Sequence, residues 1–353
     1  MNLPRVDQPF VIGTLRTPVG QVPRVSTELT ATDRWGTFKA RWGVGRMKYA
    51  VDPGLYAVGD PAADSPVVVT ANYKMSFDFL RRELTGRNVW LLVLDTQGIN
   101  VWCAAGKGTF GTDELVGRIA GCRLAEVVSH REIILPQLAA PGVAAHQVKK
   151  RSGFRVMYGP VRSRDLPAFI DAGCEATDEM RKKNFPILDR VVLIPVELVE
   201  AIKPAALIAL FFFLLGGLGG PGTFWSNALD FGLFAVVALV SAVLAGAVMT
   251  PVLLPWLPGR AFSVKGCTIG IAVALVLVLF RSGGWHQWPG RLEMAAWLLI
   301  VPALTAYLAM NFTGASTYTS LSGVKKEMRF ALPSEIAAAV VGVALWLGSR
   351  FTY

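Results

Sequence analysis

The sequence predicts an α/β domain in the first half of the chain and an all-α transmembrane domain of about five helices in the second half. Two observations carry this prediction. From residue 67, short apolar strand patterns alternate with helical patterns, which is typical of an α/β fold with a largely parallel sheet. After residue 203, long apolar runs dominate, and a bilayer core about 30 Å thick needs roughly 17 to 25 apolar helical residues per crossing.

Composition divides the 353 residues into four segments. Residues 1–60 are rich in Gly, Pro and Arg with little apolar periodicity, which predicts an extended lead-in that packs on the following domain. Residues 61–190 form the α/β domain, 191–203 a linker, and 204–353 the transmembrane domain.

The α/β domain contains a clear order of elements. Strands are predicted at PVVVTANY (66–73), NVWLLVLDTQG (88–98), EIIL (132–135) and FRVMYGPV (154–161). Helices are predicted at SFDFLRRELTG (76–86), DELVGRIAG (113–121, with Thr112 as its cap), HQVKKRSG (146–153) and DLPAFIDAG (165–173). In such sheets ligands bind outside the carboxyl ends of the strands, which places Thr70 and Asn72 among the candidate binding residues.

Five apolar runs are long enough to be transmembrane spans, although four spans remain an alternative because the first and third are short. The glycines that follow the FFFLL run (211–215) are expected to end the first helix early. The predicted spans are 204–220, 228–250, 264–281, 292–312 and 334–351.

The net charge of +10 predicts contact with membrane lipid rather than with nucleic acid, because much of the excess flanks the spans. Lys and Arg concentrate in the segments that share a side with the N-terminal domain, which the positive-inside rule places in the cytoplasm. The start MNLPRVDQPFVIG has neither the basic nor the apolar region of a secretory signal. These features predict a multi-pass protein of a bacterial or archaeal cytoplasmic (inner) membrane.

Cysteine and histidine are too sparse and too scattered to predict a zinc or iron-sulfur site. The four cysteines contain no C-x-x-C pair, and the three histidines lie far apart in sequence. Any electrons that the protein uses are therefore expected from a partner.

The segment NVWCAAGK, residues 100–107, is the strongest candidate for a functional motif. Asn100 is a good N-cap for a short helical turn that Gly106 is expected to end. Cys103 then lies in the first turn, where the helix dipole favours the metal-binding thiolate. The small side chains of Ala104 and Ala105 are expected to let a large flat ligand approach the backbone.

Two other motifs and a purely structural interpretation compete with this one. A Walker A loop is excluded, because seven residues separate Gly98 from Gly106 and a glycine follows Lys107. The segment GKGTFG (106–111) fits a dinucleotide fingerprint weakly, since it does not start in the turn directly after a strand. A buried structural cysteine is the common alternative for Cys103.

NVWCAAGK resembles, at all eight positions, the signature of the HgcA family, the membrane-anchored corrinoid proteins of microbial mercury methylation. The broader relatives, corrinoid iron-sulfur proteins of acetyl-CoA synthesis, have a similar segment but lack this cysteine and the membrane domain. The resemblance implies a Rossmann-like corrinoid-binding domain in which Cys103 is the catalytic residue and lower axial ligand of the cobalt. It also implies corrinoid-binding roles for the other motif residues: Asn100, Val101, Trp102, Ala104, Ala105, Gly106 and Lys107.

The same resemblance implies that a corrinoid-bound methyl group is transferred to Hg(II). It implies two partners: an HgcB-like ferredoxin with two 4Fe-4S clusters, and a methylfolate-linked protein that delivers the methyl group.

Two alternative functions stay open. One is a membrane-bound corrinoid methyl carrier of one-carbon metabolism with a different acceptor; the other is a transporter with a regulatory domain. The Thr- and Ser-rich loop 311–333 is either a docking segment or a solvated connector.

Overall fold

The computed structural model describes residues 3–281, 286–312 and 321–352. These residues form two compact units. The first contains Met1–Ala40 and Val44–Asn184, and the second contains Arg41–Gly43 and Phe185–Tyr353.

The first unit is built on a seven-stranded mixed sheet in the order β1-β2-β3-β5-β4-β6-β7. Four of the neighbouring pairs are parallel, and the β1-β2 and β3-β5 pairs are antiparallel. Every residue of β3, β4 and β5 is buried, which explains why these strands are continuous apolar runs in the sequence. The strands are β1 (Val11–Thr17), β2 (Gly20–Val25), β3 (Gly54–Val58), β4 (Val67–Ala71), β5 (Val89–Leu94), β6 (Glu132–Leu135) and β7 (Arg155–Tyr158).

Seven α-helices flank the sheet of this unit in the described part of the chain. The predicted helices of the α/β domain are confirmed, with small shifts at their ends. The helices are α1 (Ala31–Arg41), α2 (Lys74–Glu83), α3 (Val101–Lys107), α4 (Thr112–Gly121), α5 (Leu124–Val127), α6 (Ala145–Ser152) and α7 (Leu166–Asp171).

The prediction of an extended lead-in over residues 1–60 is corrected by the structure. This segment contributes the β1-β2 hairpin, α1 and β3 to the same compact unit as the rest of the domain. Along β1, half-buried and exposed residues alternate, and four of its seven residues are not strongly apolar, so the segment lacks the apolar run by which the central strands were predicted.

Buried charges tie α1 to α2. The Arg81 guanidinium, fully buried on α2, contacts Asp33 of α1 at 2.9 Å and Asp78 at 2.8 Å. The Lys74 ammonium group lies 2.6 Å from Asp33 and 2.7 Å from Asp78. Two carboxylates and two cations therefore neutralise each other out of water, which is the arrangement that buried charges require. We call these four residues the α1-α2 charge cluster.

The cluster predicts that the first unit loses stability in acid. Burial raises the pKa of Asp33, but hydrogen bonds from Lys74 and Thr30 outweigh it and lower this pKa from 3.8 to about 2. A carboxyl whose pKa is depressed in the folded state stabilises that state above its unfolded pKa, and this contribution disappears as the pH falls towards the folded value. We expect the thermal midpoint of the first unit to fall between about pH 4 and pH 2, and Asp33→Asn to lose this part of the pH dependence.

The second unit is helical, and five of its helical segments are long and apolar enough to cross a membrane. Short π-helical turns at Ala228–Gly232 and Ala245–Met249 join α10, α11 and α12 into one of these segments. The helices are α8 (Ile187–Val191), α9 (Ile194–Gly216), α10 (Phe224–Asn227), α11 (Leu233–Leu244), α12 (Thr250–Leu253), α13 (Phe262–Phe280), α14 (Trp288–Asn311) and α15 (Leu321–Arg350). The candidate spans are Ile187–Gly216, Phe224–Leu253, Phe262–Phe280, Trp288–Asn311 and Gly323–Arg350.

The described residues thus contain five candidate spans rather than four, and the first helix ends at Gly216 as its glycines predict. Two boundaries differ. The predicted linker 191–203 is mostly helical, because α9 begins at residue 194 and continues through Pro204. The last helix begins at residue 321 and contains Pro333, so much of the predicted loop 311–333 is helix, while residues 313–320 of that loop lie outside the described residues.

Four charged side chains from separate helical segments meet inside the second unit. Arg281 contacts Asp230 at 2.6 Å, and its guanidinium lies 3.6 Å from the buried carboxylate of Glu293. The guanidinium of Arg350, from the end of α15, lies 3.5 Å from the same carboxylate. These residues lie far apart in the sequence, so no local sequence pattern predicts their pairing.

Candidate functional site

Helix α3 follows β5 at the carboxyl edge of the sheet, and it contains seven of the eight residues of NVWCAAGK. The predicted N-cap is confirmed, because the Asn100 side-chain oxygen accepts a hydrogen bond of 2.9 Å from the Cys103 backbone N–H. Cys103 is half-buried in the first turn and forms no disulfide. The cap therefore fixes the backbone of the residue whose thiol is the candidate ligand.

The end of α3 differs from the prediction. Gly106 was expected to terminate the turn, but the helix continues through Lys107 and ends at Gly108, whose φ of +85° is left-handed. The Gly108 N–H then donates to the Ala105 carbonyl at 3.4 Å. Two glycines flank Lys107, and the second one adopts the conformation that residues with a Cβ rarely adopt.

Ala104 and Ala105 face the interior of the domain, which corrects the expectation that they leave space for a ligand. Ala104 is fully buried and Ala105 is 5% exposed. Gly142 packs so closely on this side that a Cβ placed there would lie 3.0 Å from the Ala105 Cα. The small side chains therefore allow α3 to pack tightly on its own domain.

The outward face of α3 carries the remaining candidates. Gly106 and Lys107 are exposed, and they lie three and four residues beyond Cys103, so all three share one side of the helix. Val101 and Trp102 are half-buried, and Val101 packs on the main core of the sheet. Gly106 adds no side chain to this face, one turn beyond Cys103.

The two candidate binding residues at the end of β4 are buried, whereas Gly106 and Lys107 of the motif are exposed. Thr70 is 3% exposed within the strand and Asn72 is 5% exposed just after it. Their side chains are thus enclosed by the domain. Ligand contact by either residue stays a prediction.

The Asn72 side chain instead holds the loop that leads into α3. Its carbonyl oxygen accepts hydrogen bonds from the Thr96 N–H at 3.1 Å and from the Gly98 N–H at 3.0 Å. The Thr96 hydroxyl lies 2.8 Å from the same oxygen, and the Asn72 amide nitrogen donates to Asp95 at 3.2 Å. One buried amide therefore fixes the short segment between β5 and Asn100.

Two further residues that sequence reasoning missed hold the same region. Glu114 of α4 accepts a hydrogen bond of 2.8 Å from the Asp95 N–H, and its carboxylate also pairs with Arg118 at 2.6 Å. The β7 residue Tyr158 donates its hydroxyl to the Val143 carbonyl at 2.7 Å, which fixes the loop that packs beside α3. Acidic character in the first turn of α4 was the only sequence signal for Glu114, and Tyr158 had none.

Replacing Asn72 with Ala is expected to loosen both the segment between β5 and Asn100 and the Asn100 cap of α3. Buried N–H groups of Thr96 and Gly98 would lose their acceptor, which costs about 1 to 3 kcal/mol for each group left unsatisfied. We expect a lower stability of the first unit and a faster alkylation of Cys103, measured by thermal denaturation and by mass spectrometry of the full chain. Asn88→Ala, which removes one exposed bond to the Asp60 N–H, is the matched control and should change neither quantity appreciably.

An open depression of about 500 Å³ lies beside the C-terminal end of α3. Thr112 lines it, and its hydroxyl accepts a hydrogen bond of 2.9 Å from the Ala144 N–H, while Gly111 occupies the N-cap position of α4. The prediction that Thr112 caps α4 is therefore corrected. The depression is lined by Gly108, Gly111, Thr112, Asp113, Ala140, Pro141, Gly142, Val143, Ala144 and Gln147.

Within the described residues, no group of three or more His, Cys, Asp or Glu side chains is placed to hold a metal ion.

Comparison with known proteins places similarity in the segment that forms this site. Residues 44–170 match the family described as CO dehydrogenase/acetyl-CoA synthase delta subunit. The acetyl-CoA decarbonylase/synthase complex subunit gamma of Archaeoglobus fulgidus is 31% identical over 128 residues, and that of Methanopyrus kandleri is 33% identical over 128 residues. The corresponding subunit of Methanothermobacter thermautotrophicus is 34% identical over 128 residues.

These similarities cover part of each protein. The aligned residues are 36% of this chain, and they span about a quarter of each relative, 27% for the first two and 28% for the third. The matched segment includes β3 to β7, Asn72 and all of α3. The first unit, which carries Cys103, is thus similar in this segment to these subunits.

Proposed function

We propose that this chain is a corrinoid-dependent methyltransferase that transfers a methyl group from cobalt to Hg(II), with the Cys103 thiolate as the lower axial ligand. One observation carries the proposal. NVWCAAGK forms a capped helix at the carboxyl edge of the sheet and exposes part of Cys103, inside the segment that is similar to corrinoid-family subunits. Ligands of open α/β sheets bind at this edge.

The residues present fit a bound corrinoid. Cys103 offers one soft sulfur ligand, and the macrocycle would supply the ring ligands of the metal. Gly106, one turn further along the exposed face, adds no side chain beside a flat group bound there, and Lys107 is exposed next to it. When bound, the corrinoid would supply a cobalt-carried methyl group, which Hg(II), an electrophile, accepts together with the bonding electron pair.

The chain's own contribution is to hold the thiol. Asn100 fixes the Cys103 backbone, and Asn72 fixes the loop that places Asn100. Ala104 and Ala105 are buried and pack α3 against the domain. This packing holds the helix in position while its outer face binds a ligand. A thiolate held in this way would offer the cobalt an electron-rich sulfur, and ligand identity is a main determinant of the properties of a metal centre.

The proposal includes partners and a location. Electrons come from an HgcB-like ferredoxin with two 4Fe-4S clusters, and the methyl group comes from a methylfolate-linked donor protein. The chain is a multi-pass protein of a bacterial or archaeal cytoplasmic membrane with the first unit in the cytoplasm. The five membrane-length helices and the distribution of Lys and Arg between connectors support this arrangement.

A second candidate function is favoured by the relatives. They are named as subunits of an acetyl-CoA decarbonylase/synthase complex, which favours a membrane-bound corrinoid methyl carrier of one-carbon metabolism. The two functions use the same site and differ in the methyl acceptor.

The test uses the full chain in lipid nanodiscs without oxygen. The protein is loaded with methylcobalamin, Hg(II) is added, and the cobalt absorption spectrum and methylmercury are followed together. Methylmercury that forms as the methyl-cobalt absorption disappears is the expected result. Tight corrinoid binding without methylmercury would favour the one-carbon carrier, and no corrinoid binding would contradict both functions.

Replacing Gly106 with Leu separates corrinoid binding from stability. A glycine inside a helix costs about 1 kcal/mol relative to a good helix former, so the variant should be no less stable than the parent chain. The new side chain would, however, fill the space beside Cys103. We expect corrinoid affinity to fall by at least about tenfold, which corresponds to about 1.4 kcal/mol, measured by titration with methylcobalamin.

Gly117→Leu is the matched control for this variant. Gly117 lies inside α4 on an exposed face, and a Cβ there meets no atom within 4 Å. It should gain the same helix propensity and keep full corrinoid affinity. Equal affinities for the two variants would show that the outer face of α3 does not bind the corrinoid.

A further inference from the structure

Helix α1 and the segment after it present large apolar side chains to solvent. Trp35 is 58% exposed and Phe38 is 49% exposed, and their rings stack with centroids 5.2 Å apart. Val44 is 61% exposed and Met47 is 69% exposed. We call these four residues the α1 surface. Exposed apolar residues that gather in this way mark an interaction site more often than single ones do.

The α1 surface belongs to a firmly held part of the domain. On the opposite side of α1, Asp33 is 6% exposed and joins the α1-α2 charge cluster. The Tyr49 hydroxyl donates to the Asp33 carbonyl at 3.1 Å, and the Tyr49 ring lies so close to Gly36 that a Cβ there would be 2.7 Å from it. Buried ion pairs and ring packing thus hold in place a helix whose outer side is apolar.

Basic side chains are interleaved with the α1 surface. Arg34 and Lys39 are exposed on α1, and Arg46 and Lys48 flank Met47. The acidic residue of this stretch, Asp33, is turned inward and engaged with Lys74 and Arg81. The outward side therefore combines aromatic and aliphatic groups with positive charge and has no carboxylate between residues 34 and 48.

We propose that the α1 surface contacts the headgroup region of a bilayer that contains anionic lipid. The same chain carries five membrane-length helices, so a bilayer is tethered to this domain whenever the protein is inserted. Tryptophan favours the interfacial region of membranes, and a basic side chain near an anionic surface strengthens binding by about fivefold. This contact is independent of the corrinoid and of the methyl acceptor.

The test uses the full chain in nanodiscs with p-benzoylphenylalanine in place of Trp35. After irradiation, mass spectrometry identifies the molecules that are covalently attached at this position. Because Trp35 is exposed, its replacement leaves the core unchanged. Lipid adducts should form, and they should be at least about fivefold more abundant with a phosphatidylglycerol-containing bilayer than with phosphatidylcholine alone.

The matched control places the same photoreactive residue at Ile12, which is 60% exposed on β1 of the same unit. Few lipid adducts are expected there. The double variant Arg34→Glu, Lys39→Glu should remove the preference for anionic lipid at position 35. The proposal is overturned by equal lipid adducts at positions 35 and 12, by equal adducts in the two bilayers, or by adducts at position 35 that contain only protein or corrinoid.

Discussion

Replacing Cys103 with Ala is expected to reduce methylmercury formation by at least about a hundredfold, which is about 2.7 kcal/mol of lost transition-state stabilisation. The physical reason is that α3 presents a single soft ligand, and alanine has nothing to donate to cobalt in its place. The Asn100 cap acts through the backbone N–H of residue 103, so α3 should keep its fold in the variant. The measurements are the rate of methylmercury formation and the absorption spectrum of the bound corrinoid.

Cys174→Ala provides the matched control for this prediction. Cys174 is a half-buried cysteine of the same unit, and burial raises the pKa of its thiol, so it is a poor source of thiolate. This variant should keep the parent rate and the parent spectrum. A Cys103→Ala chain with an unchanged spectrum and rate would refute axial ligation by the thiolate, even if the corrinoid still bound.

Replacing Arg81 with Ala is expected to destabilise the first unit by about 3 to 5 kcal/mol, because it leaves buried carboxylates without their cation. The Arg81 side chain is fully buried, and it contacts both Asp33 and Asp78. Its guanidinium also donates to the backbone carbonyls of Ser26 and Glu28, before α1. The substitution would therefore release α1 from α2 as well as lower the global stability.

The measurement is hydrogen exchange of the full chain in detergent or nanodiscs, followed separately for the amides of α1 and of the central strands. Arg82→Ala is the matched control, because Arg82 is the neighbouring residue on α2 and its side chain is 52% exposed. Its effect should stay within about 0.5 kcal/mol. Similar exchange rates in the two variants would mean that the α1-α2 charge cluster contributes little to stability.

Much of the candidate site was predictable because its geometry is local. An Asn, a short apolar turn and a nearby glycine are enough to predict an N-capped helix with a cysteine in its first turn, and α3 has this form. The direction of the side chains was not predictable in the same way. Ala104 and Ala105 face inward because of Gly142 and the core, which lie far away in sequence.

Contacts between distant segments explain the other differences. Asn72 lies 24 residues before Thr96, so the hydrogen bonds between them do not appear in any local pattern. The β1-β2 hairpin was missed because an edge hairpin that mixes polar and apolar residues lacks the long apolar run of β4 or β5. In the second unit, hydropathy predicted the number of spans but placed the start of α15 too late, since its first residues are polar and Pro333 follows them.

The pairing of Glu293 with Arg281 and Arg350 has a consequence for biogenesis. Arg281 and Glu293 precede Arg350 by 69 and 57 residues, so they are synthesised first. The buried carboxylate of Glu293 therefore has one cation fewer beside it until α15 has been synthesised and packs against α14. We expect a nascent chain that stops before residue 350 to pack α15 on α14 less stably than one that includes it, because the Glu293 carboxylate then lacks one of its cations.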